Sequence, residues 1–344
     1  MKPQTLIFPS GVTTHYYFQA NSMDLRKLAE PEGTIIITDE QVAELYKEQL
    51  RDYRVLRMET GESHKTLDTI ARLGEELIHL GAVRGTRLLG LGGGVVTDVC
   101  GFLASTFMRG LPFAFVPTTL LAQVDAAIGG KNGVNLGLHK NMLGTIRQPE
   151  FILFDHQYLN SLPTAQWSNG FAEIIKYGFI ADTRILTTLQ SADIDFFQKH
   201  PEQLNALIEG CVDVKNKIVH ADETENGIRK LLNFGHTAGH ALETLYGLPH
   251  GNAVGLGMRV AVRLSEEHCG LKEDASPVLL ELLNRYQLPT HLSQDAEQIL
   301  TLLLTDKKRH ENGVDYVLLE KPGVAITKNL GREDIMPALE IIRE

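Results

Sequence analysis

Four side chains in the second half of the sequence have the chemistry to share one cation. His236 and His240, in NFGHTAGHALET, stand four residues apart, so a helix carries both imidazoles on one face. His250 follows in PHGNAV, and Glu173 precedes them in AEIIKYG. One carboxylate with two or three imidazoles suits Zn²⁺ or a similar divalent ion that keeps a position open for substrate oxygens. The spacing leaves open which histidines take part, and a helical histidine pair serves as well for structural hydrogen bonding. HxxxH lacks the glutamate beside the first histidine that zinc proteases use as a base, which argues against hydrolysis. Gly235, Gly239 and Gly251 around these residues permit close approach of other elements.

The first half offers a different chemistry. GLGGGVVTD, residues 90–98, runs from a strand through three glycines into a helix, with Asp98 one turn inside. Such a turn lets backbone N–H groups approach a pyrophosphate at the positive end of the helix, although the spacing is not the Rossmann fingerprint and a glycine cluster also makes a plain tight turn. Pro117-Thr118-Thr119 repeats the arrangement after the next strand, as a nucleotide contact or a simple N-cap. Two such turns at neighbouring strand ends favour a nucleotide crevice over either reading alone.

The third feature is cationic. Arg109, Lys131, Lys140, Lys176, Lys215, Arg229 and the Lys307-Lys308 pair lie in compact segments beside glycine, asparagine or acidic residues, among them Asp125 to Lys131, Lys140-Asn141, and Arg229 to Asn233. Lysines in such glycine- and asparagine-rich turns are candidate anchors for phosphate or carboxylate, whereas any one alone reads as a solvated side chain.

Short β-like runs alternating with helical stretches must position these groups, and the alternation predicts a mostly parallel sheet flanked by helices. Strands are expected at Thr34–Thr38, Arg87–Leu91, Phe113–Val116 and Phe151–Phe154, and a helix over 66–80 closed by Gly81. After Leu162-Pro163 helical periodicity takes over, near 165–180, 202–221, 230–246, 251–268, 276–286 and 295–304, with one short strand at 315–319. The domain boundary is expected at 155–163, giving residues 1–158 and 159–344 and inviting a cleft. A length of 344 residues suits two domains.

With 43% hydrophobic and 22% charged residues the composition is globular, and a net charge of −10 argues against a nucleic-acid partner. MKPQTLIFPSG lacks the apolar middle of a signal peptide, and no stretch is apolar enough to span a membrane, so a cytoplasmic protein is expected. Cys100, Cys211 and Cys269 form no CxxC pair, which leaves metal ligation to nitrogen and oxygen.

In order, GGGVVTD, MRG, PTTLLAQVDAAIGGK, HKNMLG, AEIIKYG, RKLLNFGHTAGHALE, HGNAVGLGM and DKK resemble the 3-dehydroquinate synthases, in register from about Gly61 to Lys308. The resemblance implies a Rossmann-like α/β NAD-binding domain, then a mostly α-helical metal-binding domain, usually in a homodimer. It implies Glu173, His236 and His250 as ligands of one divalent ion, Zn or Co, with His240 on substrate. Gly93, Gly94, Asp98, Thr118 and Thr119 match NAD-binding positions, as do Glu62 and Lys65 of GESHKT, Asp39, and Lys131 and Lys140. Asp125, Lys131, Lys140, Asn141, Lys176, Lys215, Arg229, Asn233 and His240 match the substrate pocket, closed by Lys307 or Lys308; Lys131, Asn141, Lys176, Arg229 and His240 match its catalytic groups. Arg109 matches an arginine that reaches a partner subunit's phosphate.

The implied reaction converts 3-deoxy-D-arabino-heptulosonate 7-phosphate, a phosphorylated and carboxylated sugar, to 3-dehydroquinate and phosphate in the shikimate pathway. It proceeds by transient oxidation, phosphate elimination, reduction and aldol closure, without net NADH. Several positions depart from the family: Ala126 and Ala127 replace serines, Asn132 a threonine, Ala238 a phenylalanine. Asn252 stands where glutamate usually follows His-Gly, so weaker support of His250 is expected. Rival readings are cyclases of the 2-deoxy-scyllo-inosose, sedoheptulose 7-phosphate or aminodehydroquinate type, a glycerol dehydrogenase-like enzyme that would accumulate NADH, and a catalytically silent scaffold.

Overall fold

The run TIIIT is buried along its length, Thr34 through Ile37 showing 0% exposure, as expected of a parallel strand covered on both faces. In the computed structural model, which describes residues 3–343 except 138, 273, 294–295 and 307–312, this run is strand β3 of a larger sheet. The chain divides into two compact units, one of Met1–Leu162 with Lys215–Thr224, the other of Pro163–Val214 with Glu225–Glu344.

The first unit contains strands β1 (Gln4–Ile7), β2 (Thr13–Tyr17), β3 (Thr34–Asp39), β4 (Arg54–Met58), β5 (Arg87–Gly92), β6 (Phe113–Pro117), β7 (Lys131–Leu136), β8 (His139–Ile146) and β9 (Phe151–Leu153). Its helices are α1 (Ser22–Leu28), α2 (Glu40–Leu45), α3 (Lys47–Leu50), α4 (Leu67–His79) and α5 (Gly94–Thr106). Seven strands form one sheet in the order β1-β2-β9-β6-β5-β3-β4, parallel throughout except for the β1–β2 pair. From β3 the chain goes outward to β4, then returns to the other side of β3 for β5 and continues to β6. Winding therefore reverses between β3 and β5, the point at which ligands bind beyond the carboxyl ends of α/β strands. Ile36, Leu89, Leu91, Ala114, Val116 and Leu153 fill a core on this sheet.

The second unit contains α6 (Thr164–Ile180), α7 (Thr183–Gln190), α8 (Ile194–Lys199), the first part of α9 (Pro201–Ala221), α10 (His236–Tyr246), α11 (His250–Cys269), α12 (Ala275–Arg285), α13 (Ala296–Asp306) and α14 (Arg332–Glu340), with a hairpin of β10 (Val314–Lys321) and β11 (Val324–Leu330). Every residue from Trp167 to Ile180 is buried, so α6 is a central helix surrounded by others. Among the described residues no helix is long and apolar enough to cross a membrane.

Two sequence expectations are corrected and one is extended. The glycine- and asparagine-rich stretch holding Lys131, Lys140 and Asn141 is not a set of turns but the antiparallel β7–β8 hairpin, whose exposed second strand carries little apolar signal. The expected helix over 230–246 is broken: Ile228–Asn233 is a separate 3₁₀ turn, and Gly235 adopts φ +78° before α10 begins. The break follows from packing, because a Cβ on Gly257 of α11 would lie 1.9 Å from the Gly235 carbonyl oxygen. Finally, the short strand expected at 315–319 has a partner, β11, that the sequence did not reveal.

Candidate metal centre and cofactor turns

In the second unit, α6 carries Glu173 with 0% side-chain exposure, α10 begins with His236, and α11 begins with His250. The absence of side chains at Gly235 and Gly257 lets α10 and α11 meet backbone to backbone. Gly251 makes the same allowance toward α6, since a Cβ there would sit 2.5 Å from Cα of Asn169. The Gly251 N–H donates to Asn169 Oδ1 at 3.0 Å, capping α11 from another helix where its own N-cap residue, Pro249, supplies no side-chain bond. Asn169 lies one helical turn before Glu173, so this contact also sets the spacing between Glu173 and His250.

The result is a cluster in which one ligand atom each from Glu173, His236 and His250 lie within 4.8 Å of one another. His236 Nδ1 is 3.1 Å from the Phe234 carbonyl oxygen, which accepts only, so Nδ1 carries the proton and Nε2 is the lone-pair nitrogen. That Nε2 points at Glu173 Oε1, 3.4 Å away. His250 Nε2 is 3.1 Å from the same oxygen, while its Nδ1 faces Glu243 Oε1 at 3.2 Å. Two imidazole nitrogens and a carboxylate oxygen thus converge on one point, where protons or a cation can hold them together. The donor set, two imidazoles and a carboxylate, fits a divalent ion of the zinc type.

Charges nearby are consistent with this. Burial pushes the Glu173 carboxyl up, but Lys176, His236 and His250 outweigh it and hold the group well below the usual carboxylate range. Lys176, 1% exposed, pairs with Glu173 Oε2. Burial pushes His250 down, but hydrogen bonds to Glu173 and Glu243 overcome it and the ring is pushed up to about 10.

His240 is exposed and its ring stands edge-on to His236 with centroids 5.3 Å apart; it is not in the ligand-atom cluster. Arg229 is 1% exposed and lies with Asn233 in the 3₁₀ turn before α10. Lys307 and Lys308 lie outside the described residues. Glu243 and Asn169 were not singled out in the sequence. Glu243 has a legible signal, since it follows His236 by seven residues and His240 by three and so shares their helix face.

In the first unit, β5 ends in Gly92, paired with Pro117 of β6, so the GGG turn and the PTT turn lie side by side at the carboxyl edge of the sheet. Gly93 is the N-cap of α5 and is tightly packed, a Cβ there meeting Thr119 Cγ2 at 3.0 Å. Thr119 Oγ1 accepts the Ala122 N–H at 3.1 Å, and Asp39 Oδ1 at the end of β3 accepts the Val42 N–H at 2.9 Å; both thus serve as caps. Thr118 is buried.

Lys65 is the hub of a polar group beside this edge. Its Nζ donates to Asp98 Oδ2 and to Asn141 Oδ1, each at 2.5 Å. Glu62 joins through Asn135, which donates to Glu62 Oε1 and accepts the Asn141 N–H, both at 2.9 Å. Burial raises the Asp98 carboxyl against the opposing pull of Lys65. A second pair joins Lys215 to Asp125, with Nζ 2.8 Å from Oδ1 and 2.6 Å from the Asp125 carbonyl oxygen. Asp125 sits in a π-helical turn, a form common at functional sites. Lys131 and Lys140 are exposed on the hairpin, and Arg109 is exposed with φ +69° after α5.

Residues 55–169 match the 3-dehydroquinate synthase N-terminal family model and residues 170–309 the 3-dehydroquinate synthase C-terminal model. A 3-dehydroquinate synthase of Thermoanaerobacter pseudethanolicus is 37% identical, over 94% of this chain and 96% of that protein. Among solved structures, the 2-epi-5-epi-valiolone synthase ValA of Streptomyces hygroscopicus subsp. jinggangensis, with NAD⁺ and Zn²⁺ bound, superposes with a TM-score of 0.87 at 27% identity, covering 95% of this chain and 96% of that one. A 2-deoxy-scyllo-inosose synthase complexed with carbaglucose-6-phosphate, NAD⁺ and Co²⁺ also gives 0.87, at 25% identity and 99% coverage of both chains. By model matches that together run from 55 to 309 and by identity along nearly its whole length, the chain belongs to the 3-dehydroquinate synthase family.

Proposed function

We propose that this protein converts 3-deoxy-D-arabino-heptulosonate 7-phosphate to 3-dehydroquinate and inorganic phosphate, as a phosphate-eliminating carbon–oxygen lyase of the shikimate pathway. The observation that carries the reading is the convergence of Glu173, His236 and His250 in a chain of this family. NAD, when bound, would supply reversible hydride exchange with a secondary alcohol, and a divalent ion, Zn or Co, would supply positive charge for the reacting oxygens.

The chain's own groups then have defined tasks. Glu173, His236 and His250 hold the ion. Gly93, Gly94 and the first amides of α5 take the pyrophosphate of NAD. Asp39, Glu62, Lys65, Asp98, Thr118 and Thr119 orient the rest of it, assisted by Lys131 and Lys140. Lys131, Lys140, Asn141, Asp125 and Lys215 bind the phosphorylated end of the substrate, and Arg229, Asn233 and His240 its carboxylate, with Lys176 beside the reacting carbon and Lys307 or Lys308 closing the pocket. Fixing both ends of an open chain converts ring closure into an oriented intramolecular step. No protein carboxylate is assigned as base; the departing phosphate removes the proton. The protein works in the cytoplasm as a homodimer, NAD-binding residues 1–158 and metal- and substrate-binding residues 159–344 forming each subunit, with Arg109 reaching the partner's phosphate site.

Cyclases that use substrates without a carboxylate are the second reading, favoured by the fold shared with the two solved synthases. One assay separates them. The purified protein is incubated with NAD⁺, Zn²⁺ and either the heptulosonate phosphate or sedoheptulose 7-phosphate, and phosphate and NADH are followed. Phosphate from the carboxylated substrate alone, without NADH accumulation, is expected. Turnover of sedoheptulose 7-phosphate alone, or accumulating NADH, overturns the proposal.

A further inference from the structure

The backbone that carries His250 is fixed by the bond between the Gly251 N–H and Asn169 Oδ1, at 3.0 Å. What this bond leaves free is the ring: its rotation, and which nitrogen bears the proton. Glu243 reaches that ring from α10. Its side chain is 6% exposed, and its Oε1 lies 3.2 Å from His250 Nδ1, on the opposite edge of the imidazole from Nε2, which faces Glu173 at 3.1 Å. Both ring nitrogens thus face carboxylates, which accept hydrogen bonds and donate none; with Nδ1 held as a donor to Glu243, Nε2 is the nitrogen left to exchange its proton for an ion shared with Glu173.

We infer that Glu243 is a positioning residue of the metal centre: it commits His250 to the Nδ1–H tautomer and aims Nε2 at Glu173. A buried carboxylate on the far nitrogen of a ligating imidazole fixes the ring and makes the near nitrogen a better donor. His236 achieves the same tautomer with a backbone partner, the Phe234 carbonyl, at 3.1 Å. The support expected to be missing because position 252 is asparagine is thus supplied by another helix. The inference rests on the metal centre proposed above, and its test has to fail separately from that reading.

The test is zinc affinity, measured on the metal-free full-length chain by competition with a chromophoric chelator. Glu243→Ala is expected to weaken zinc binding by about 10- to 100-fold. Glu243→Gln, whose amide oxygen accepts the same N–H, is expected to recover most of the loss. With Co²⁺ in place of Zn²⁺, the visible spectrum of Glu243→Ala shifts while that of Glu243→Gln matches the parent. Unchanged affinity in Glu243→Ala, or equal losses in both variants, overturns the inference. If Glu243→Ala does not fold, nitrogen-15 histidine spectra of the zinc-loaded parent decide: a His250 ring protonated at Nδ1 and bound through Nε2 is expected, and the reverse tautomer overturns it. A parent chain that binds no zinc, or a His236→Ala variant that binds it as tightly as the parent, would instead strike at the metal centre itself.

Discussion

His236 Nε2 lies 3.4 Å from Glu173 Oε1, and in the neutral ring neither atom has a proton to offer the other. The two have different obligations without a metal. Glu173 pairs with the buried Lys176, whereas His236 gives the proton of its other nitrogen to the Phe234 backbone carbonyl. Replacing Glu173 with alanine is therefore expected to destabilise the metal-free protein by about 3–5 kcal/mol, the cost of breaking a buried ion pair. His236→Ala is expected to abolish zinc binding with a much smaller loss. Urea melts of the two metal-free variants check this; equal destabilisation would show that the carboxylate and imidazole are not separable.

The close approach of α10 to α11 brings His236 and His250 together. A methyl group at 257 would meet the Gly235 oxygen at 1.9 Å, so Gly257→Ala must push the helices apart. Overpacking of this kind costs about 1–3 kcal/mol or more. Its further consequence is a loss of zinc affinity although no ligand is changed, measured by chelator competition on protein that remains folded. Full affinity in a destabilised variant would show that helix separation does not govern the site.

On the sheet edge, Asp98 and Lys65 form a pair with side-chain exposures of 20% and 5%. Asp98→Asn removes the charge while keeping the shape. If Asp98 orients the cofactor, NADH binding weakens by about 10- to 100-fold, the equivalent of one hydrogen bond to a charged group at ~1.5–3 kcal/mol. Fluorescence titration with NADH measures it, and an unchanged Kd would reduce the pair to a structural role.

Asp155 gives a pH dependence free of the metal. Its carboxylate caps a 3₁₀ turn through the Gln157 N–H at 2.9 Å, yet the residue is 3% exposed. Burial raises its pKa, with the Gln157 bond pulling the other way. An acid whose folded pKa lies above its unfolded value costs stability when ionised, and the cost fades as pH falls through the folded pKa. Asp155→Asn keeps the capping oxygen without the charge, so it is expected to be more stable than the parent at neutral pH, by a margin that shrinks on acidification. A margin that grows toward acid pH would reverse the sign.

The buried parallel strands were legible because their residues leave little choice: TIIIT, RLLGL and FAFV have no polar face, and each stops at an acidic, glycine or proline residue. The β7–β8 hairpin was not, because β8 is mostly exposed and its asparagines and lysines serve polar contacts such as Asn135 with Glu62, not a core. The helix break at Gly235 was hidden for another reason: its cause is the backbone of α11, more than twenty positions away. In the site, Glu173 and the histidines stood out by type and spacing. Glu243 shares the histidines' helix face by spacing, but spacing alone does not separate it from a solvated glutamate until His250 is seen against it. Lys65 likewise becomes informative only when folding buries it between Asp98 and Asn141.

All the chemistry proposed for this chain requires one ion at one place. Anomalous diffraction at the zinc edge, on crystals of the zinc-loaded protein, locates it directly. The expected result is a single strong peak about 2.0–2.2 Å from a Glu173 carboxylate oxygen and from Nε2 of His236 and of His250, with His240 unbound. A peak on His240, a peak elsewhere in the chain, or no peak at these three residues would contradict it.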